Sequence, residues 1–243
     1  MRIFLYILLI GISTLISCSG SPDPLYPRYT TFPDEKMVAT QEISIDSAFF
    51  RYPYRVAVKD SIAIIMDLHN DSHYFYAFTY PECKPIAPFG KRGEAPGEML
   101  SAEMFQFSAL DSVWTLDANR MLITRWSVSP TDKTVLRKEE IRLDKTLVRS
   151  LDFYRTDSAF LITDYLGDFR YHKVSHSGKP IKNIGKIPTE ISYEQYIHPA
   201  LAQAWRSFTD YNPKNGIYAM ATQLGEALEI YNLKTHTHNV IYG

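Results

Sequence analysis

From about residue 40 to the end, apolar residues come in short runs that either alternate with polar ones or are continuous for four to six positions. Strands read this way, whereas a 3.6-residue period is missing over almost the whole stretch. The first group of runs predicts strands over Tyr54 to Val58, Ile62 to Met66, Tyr74 to Thr79 and Lys84 to Gly90. The second predicts them over Met104 to Leu110, Val113 to Leu116, Met121 to Val128 and Val135 to Leu143. The third covers Val148 to Tyr154, Ala159 to Thr163, Phe169 to Val174 and Pro180 to Ile187. The fourth covers Trp205 to Tyr211, Ile217 to Thr222, Leu228 to Leu233 and His238 to Tyr242. Ile, Val, Tyr, Phe and Thr dominate, as suits a pleated and half-buried surface.

Two markers show that these groups are copies of one unit. Lys84-Pro85-Ile86-Ala87-Pro88-Phe89-Gly90-Lys91 returns 95 residues later as Lys179-Pro180-Ile181-Lys182-Asn183-Ile184-Gly185-Lys186. Short turns at Asp60-Ser61, Asp111-Ser112, Asp157-Ser158 and Asn215-Gly216 are spaced by 51, 46 and 58 residues, so the 95-residue echo spans two units. Periods of roughly 40 to 50 residues with four strands each predict propeller blades. The expected fold is therefore an all-β propeller of four-stranded antiparallel blades, at about residues 51–92, 104–143, 147–188 and 204–243 of a domain covering 42–243. Glu42 to Phe50 alternates well enough to predict one further strand, of the kind that completes the last blade of a closed ring.

The N-terminus has a different character. Arg2 precedes an apolar run from Ile3 to Ile16, interrupted only by Gly11, Ser13 and Thr14. That is shorter than the roughly 20 residues that cross a bilayer and fits a signal peptide over 1–17. Leu15-Ile16-Ser17-Cys18 resembles a bacterial lipobox, which implies lipidation of Cys18 and membrane attachment through an N-terminal lipid; an ordinary cleaved signal is the alternative. Residues 18–41 hold Pro22, Pro24, Pro27 and Pro33 and read as a tether, because proline interrupts both helices and sheets. No acidic cluster resembling a surface-export signal follows Cys18, so the expected address is the periplasmic face of the outer membrane.

Composition excludes some partners. A hydrophobic fraction of 45% suits one globular core, and a net charge of −1 gives no long-range attraction to nucleic acid. Cys83 is the only cysteine of the folded part and is expected to be a small buried apolar residue with no disulfide partner.

Two segments break the strand pattern. Residues 94–103, after Gly93 and around Pro96 and Gly97, join the first two units as a loop. A short helix is expected to begin within 193–204, with Pro199 breaking its middle. Connecting loops carry function more often than the strands they join, so Lys91, Arg92, Glu94 and Glu98 in one segment and Tyr193 and Tyr196 in the other are the candidate ligand-binding residues.

The first of these loops also carries a family resemblance. Phe89-Gly90-Lys91-Arg92-Gly93-Glu94-Ala95-Pro96-Gly97-Glu98-Met99 resembles the Phe-Gly-x-x-Gly-x-Gly-Pro-Gly-Glu-Phe segment of NHL-like and TolB-like six-bladed propeller lipoproteins of Bacteroides-type bacteria; Ala95 and Met99 depart from it. Residues 205–233 are similar to another blade of that family. The resemblance implies fold and cell-envelope address but no reaction. Six blades need roughly 300 residues, so the four units read as an incomplete six-bladed ring; a closed four-bladed ring and a truncated product without function are the alternatives.

No constellation announces chemistry. Asp67, Asp117 and Asp164 end equivalent strands and either gather at one level as a cation site or cap tight turns; the turn role is expected. His236 and His238 fall two apart on a strand without a third ligand in sight, His69 and His73 flank a turn, and His172 and His176 read as structural. There is no Gly-x-Ser-x-Gly, no His-Glu-x-x-His and no phosphate loop, so neither metal, cofactor nor catalytic residue is assigned. Trp114, Trp126 and Trp205 belong to packing between blades or to a sugar-stacking surface, and packing is expected. The functional expectation is a membrane-anchored, non-catalytic binding or scaffolding module with an envelope protein or glycan as partner. A propeller lyase or hydrolase acting on glycans or peptides is the alternative, and it requires carboxylates, His or Tyr converging on a central pocket.

Overall fold

A computed structural model describes residues 34, 36–40, 42–45, 48–109, 111–167, 169–189 and 198–243. Sixteen strands fall into four antiparallel sheets of four, each in sequential order. The first blade contains β1 (Pro53–Lys59), β2 (Ile62–Asp67), β3 (His73–Thr79) and β4 (Pro85–Lys91). The second contains β5 (Met104–Ala109), β6 (Ser112–Asp117), β7 (Leu122–Ser129) and β8 (Thr134–Arg142). The third contains β9 (Phe153–Arg155), β10 (Phe160–Thr163), β11 (Tyr171–Val174) and β12 (Pro180–Ile184), and the fourth β13 (Ser207–Asn212), β14 (Ile217–Thr222), β15 (Ala227–Asn232) and β16 (Thr237–Tyr242). The first strand of each blade is the inner one, so that β1 lies beside β5 and β5 beside β9.

Each repeated marker occupies one structural position. The Asp-Ser and Asn-Gly turns all join the first strand of a blade to the second. Gly90 and Gly185 both end fourth strands in the left-handed region, at φ of 64° and 68°. A Cβ on Gly90 would lie 2.7 Å from Phe75, and one on Gly185 would lie 2.7 Å from the Tyr231 hydroxyl. Glycine is required at both by backbone and by space.

The second strands of the first three blades are buried on both faces, Ile62, Ile64 and Met66 wholly so, whereas β14 in the fourth blade buries only alternate residues. Three apolar clusters join the blades in turn. Ile64, Met66 and Phe75 meet Phe105, Val113 and Trp126 between blades one and two. Trp114 and Leu116 meet Phe153, Phe160 and Val174 between two and three, and Leu161 and Tyr171 meet Tyr218, Met220 and Tyr231 between three and four. Ring contacts carry these seams: Phe89 to Trp126 at 5.3 Å, Trp114 to Phe160 at 5.9 Å, and Tyr171 to Tyr218 at 5.1 Å. The expectation that tryptophan packs between blades is met by Trp114 and Trp126. Truncating such a residue costs about 3–5 kcal/mol.

The fourth blade returns to the first with a different contact. The Arg55 guanidinium lies over the Phe208 ring, 5.9 Å from its centre. No apolar cluster among the described residues joins these two blades, and Val56, Val58 and Phe208, all on inner strands, are 68%, 48% and 48% exposed.

Four expectations are corrected. Residues 42–45 and 48–50 form no strand: β13–β16 already supply four strands to the last blade, and Phe50 instead packs edge-on against Tyr76 at 5.4 Å, covering the outer face of blade one. Residues 148–151 are not strand; Arg149 adopts a φ of 59°, which ends extended pairing before β9. Pro199 does not break a helix, because helix α1 (His198–Ala204) starts one residue before it and proline is tolerated in a first turn, where its missing N–H would be unpaired anyway. Cys83 is half-buried in the turn between β3 and β4 at a φ of 52°, so the turn and not a core sets its place.

Candidate ligand site at the axial mouth

The recurring aspartates build the framework of the site. Asp67 accepts hydrogen bonds from the amides of Arg51 (2.7 Å), Tyr52 (2.9 Å) and His69 (3.1 Å). Asp117 accepts from the Leu100 amide (2.7 Å), the Ser101 hydroxyl (3.1 Å) and the Arg120 amide (2.9 Å). Asp164 accepts from the amides of Leu166 (2.7 Å) and Phe169 (2.9 Å). Burial pushes the Asp67 and Asp164 carboxyls up, but these amides, with His172 at Asp164, outweigh it and hold both below the usual carboxylate range. They are turn anchors, and no group of three metal-ligating side chains occurs among the described residues. In blades one and two the anchor fixes the chain just before the inner strand, and so fixes what faces the axis there.

The residues directly before three inner strands are Glu103, Asp152 and Arg206. Together with Arg55 near the start of β1, they bring one charged side chain from every blade to a cavity of about 220 Å³, which Tyr54 and Tyr165 also line. Asp152 is 2% exposed. One of its oxygens accepts from the Thr209 hydroxyl at 2.7 Å, while Oδ1 has no partner; Arg55 Nε and Arg206 Nε are likewise buried and unpartnered. Burial pushes the Asp152 carboxyl up to about 6 against the opposing pull of the Arg55 charge and the Thr209 hydrogen bond. The Glu103 carboxyl is also raised by burial, with Arg206, Ser101 and Arg55 opposing. The Arg206 guanidinium lies 5.9 Å from the Tyr165 ring centre and the Arg55 guanidinium 5.5 Å from that of Tyr54, so both cations are backed by aromatic rings.

Leaving a buried polar group unpaired costs about 1–3 kcal/mol. All three atoms belong to residues that line this one cavity. Two guanidiniums and two carboxyls suit a small molecule that carries both charges.

The residues favoured in the sequence lie elsewhere. Lys91 pairs with Glu98 at 2.7 Å, and Glu98 accepts the Ala95 amide at 3.1 Å. These bonds hold the Glu98 carboxyl below its usual range. Arg92 donates to the carbonyls of Leu68 (3.2 Å) and Asn70 (3.1 Å) and stacks over Tyr74. Glu94 is exposed, and its carbonyl accepts from Arg120 at 2.7 Å, while Arg137 donates to the Gly97 carbonyl. This loop is bonded to itself and to blades one and two, and none of its candidates lines the axial cavity. Cys18, Tyr193 and Tyr196 lie outside the described residues. His238 turns to Glu229 at 3.2 Å while His236 sits in a turn at a φ of 60°, so the pair shares no ligand-like geometry. The axial residues left one trace in the sequence: a charged residue immediately before an inner strand in three of the four blades.

Radial four-stranded sheets around a charged mouth define a β-propeller with a candidate site on its axis. The chain belongs to the TolB-like 6-blade propeller-like family, whose sequence model matches residues 31–243. It is similar in fold to a DUF4221 family member from Bacteroides vulgatus, with a TM-score of 0.53 at 7% identity over 82% of this chain and 59% of that one. A functionally unknown protein from Desulfotomaculum acetoxidans gives 0.50 at 10% identity over 87% and 60%. A candidate exported protein from Bacteroides fragilis gives 0.49 at 11% identity over 82% and 73%. The chain thus spans about three fifths of the length of two of these structures. No curated protein matches it significantly. Among the described residues, no helix is long and apolar enough to cross a membrane.

Proposed function

We propose that this is a cell-envelope propeller, anchored through lipid on Cys18 at the periplasmic face of the outer membrane, that binds a small zwitterionic ligand at its axial mouth without transforming it. One observation carries the binding role: charged side chains from all four blades meet in a single cavity, with an oxygen of Asp152 and the Nε atoms of Arg55 and Arg206 unpaired. The test is calorimetric titration of the full chain with glycine, glycylglycine and taurine as probes. At least one binds, and Asp152→Asn and Arg206→Gln each weaken it by roughly tenfold or more, since a charged hydrogen bond contributes about 1.5–3 kcal/mol. Failure of every zwitterionic probe, or equal binding by both variants, refutes the reading. For the anchor, alkyne-palmitate labelling in cells marks the wild type and not Cys18→Ser.

A second reading is a lyase or hydrolase, and the same cavity meets its requirement for converging carboxyls and tyrosine. A carboxyl near pH 6 beside Tyr165 is suited to proton transfer close to neutrality. Turnover of a glycan or peptide that Asp152→Asn abolishes while binding persists establishes it; binding without turnover across such substrates excludes it.

A further inference from the structure

A second recess lies between blades three and four, away from the axis. It is a cleft of about 640 Å³ with an apolar floor that includes Leu161, Tyr171 and Ile184, and a rim that carries Lys173, Lys182 and Lys234. Lys173 on β11 is registered directly opposite Lys182 on β12. Directly opposed residues project from the same face of a sheet with Cβ atoms about 4.5–5.5 Å apart, and like charges there repel. Neither lysine side chain makes an ion pair or hydrogen bond among the described residues. The Lys234 ammonium donates to the Lys214 carbonyl at 3.0 Å, which satisfies a donor without neutralising its charge. Among the described residues, the exposed Asp157 is the one carboxylate on the lining.

The lining also holds a bonded cluster of side chains. The His238 ring stacks on Tyr231 with centres 4.0 Å apart and planes 5° from parallel. Both are tied to the buried Glu229, His238 at 3.2 Å and the Tyr231 hydroxyl at 3.0 Å. Glu229 is already matched by Arg170 at 2.6 Å, so it does not offset the rim. Gly185 lets β12 approach the Tyr231 hydroxyl closely, since a Cβ there would lie 2.7 Å from it. A cross-strand pair of unneutralised lysines over an apolar floor destabilises the free protein and is relieved by an anion lying between them.

We propose that this cleft binds a small amphipathic anion, with a carboxylate or phosphate bridging Lys173 and Lys182 and a flat apolar body on the Leu161 and Tyr171 floor. The site is separate from the axial mouth and stands whether or not that mouth binds a zwitterion. The experiment is thermal unfolding and calorimetry of the full chain with phenyl phosphate, phenylacetate, inorganic phosphate and phenol. Phenyl phosphate or phenylacetate is expected to raise Tm by about 5–10 °C at a hundredfold excess over Kd, and which of them binds tighter identifies the anion. Inorganic phosphate and phenol are each expected to bind at least roughly tenfold more weakly. Lys182→Thr is expected to raise the Tm of the free protein and weaken binding by roughly tenfold, whereas Lys138→Thr, which removes a charge on β8, leaves binding unchanged. Absence of binding by both aromatic anions, inorganic phosphate or phenol binding as tightly as they do, or a Lys182→Thr variant with unaltered affinity or a lowered Tm would overturn the proposal.

Discussion

Asp152→Asn is expected to make the protein more stable at neutral pH while weakening its axial site. The Asp152 carboxyl is 2% exposed and its pKa rises from 3.8 to about 6, because burial penalises the charged form by more than Arg55 and Thr209 stabilise it. A rise of roughly 2 units corresponds to about 3 kcal/mol at 1.36 kcal/mol per unit, an upper bound on the cost of holding the ionised form in the folded state. The folded protein binds a proton here more tightly than the unfolded chain. The contribution of Asp152 to stability is therefore fully present below about pH 4 and is lost as pH rises through about 6. Asparagine does not ionise, and its carbonyl can still accept the Thr209 hydroxyl that Asp152 accepts at 2.7 Å. Urea denaturation at a series of pH values should show the variant more stable than wild type by about 1–3 kcal/mol at pH 7, with the difference vanishing near pH 4. A variant less stable than wild type at pH 7, or a difference that stays flat from pH 4 to 7, would refute the reasoning.

Three further outcomes follow from the seams and anchors. Glu229→Ala leaves Arg170, 3% exposed, without the partner it holds at 2.6 Å; it should cost about 3–5 kcal/mol in urea denaturation, and the double variant Glu229→Leu with Arg170→Met should recover most of that. Gly185→Ala puts a Cβ 2.7 Å from the Tyr231 hydroxyl at a φ of 68°; a loss of at least about 1 kcal/mol is expected, read as a lowered Tm. Asp117→Ala removes the acceptor of the Leu100 and Arg120 amides and the Ser101 hydroxyl; hydrogen exchange should accelerate at the amides of residues 100 and 120, with a loss of about 1–3 kcal/mol.

Much of the fold was legible because a blade advertises itself locally. Ile62 to Met66 and Ile217 to Thr222 read as strands from their own residues, and the Asp-Ser turns marked the same hairpin in successive blades. The turn role of Asp67, Asp117 and Asp164 was also readable, since an Asx side chain bonds amides a few residues away or in the adjoining segment. Misreadings arose where local pattern and tertiary context disagreed. Residues 148–151 are as apolar as a strand, yet the chain there must turn inward to deliver Asp152 to the axis. Pro199 looks like a helix breaker in one dimension, yet it sits in the first turn of α1, where its missing N–H costs no bond. Lys91, Arg92 and Glu98 look like free loop charges in one dimension; folding spends them on Leu68, Asn70, Ala95 and each other.

By itself the sequence determined the period and the strand content, because these depend on neighbours within a few residues or on the recurrence of one unit. The tertiary structure decided which charges meet. Arg55, Glu103, Asp152 and Arg206 are spread over about 150 residues of chain and share a cavity only because four inner strands start at one level of a common axis. Period and burial pattern tell inside from outside, but they do not rank one inward charge against another; proximity across blades does.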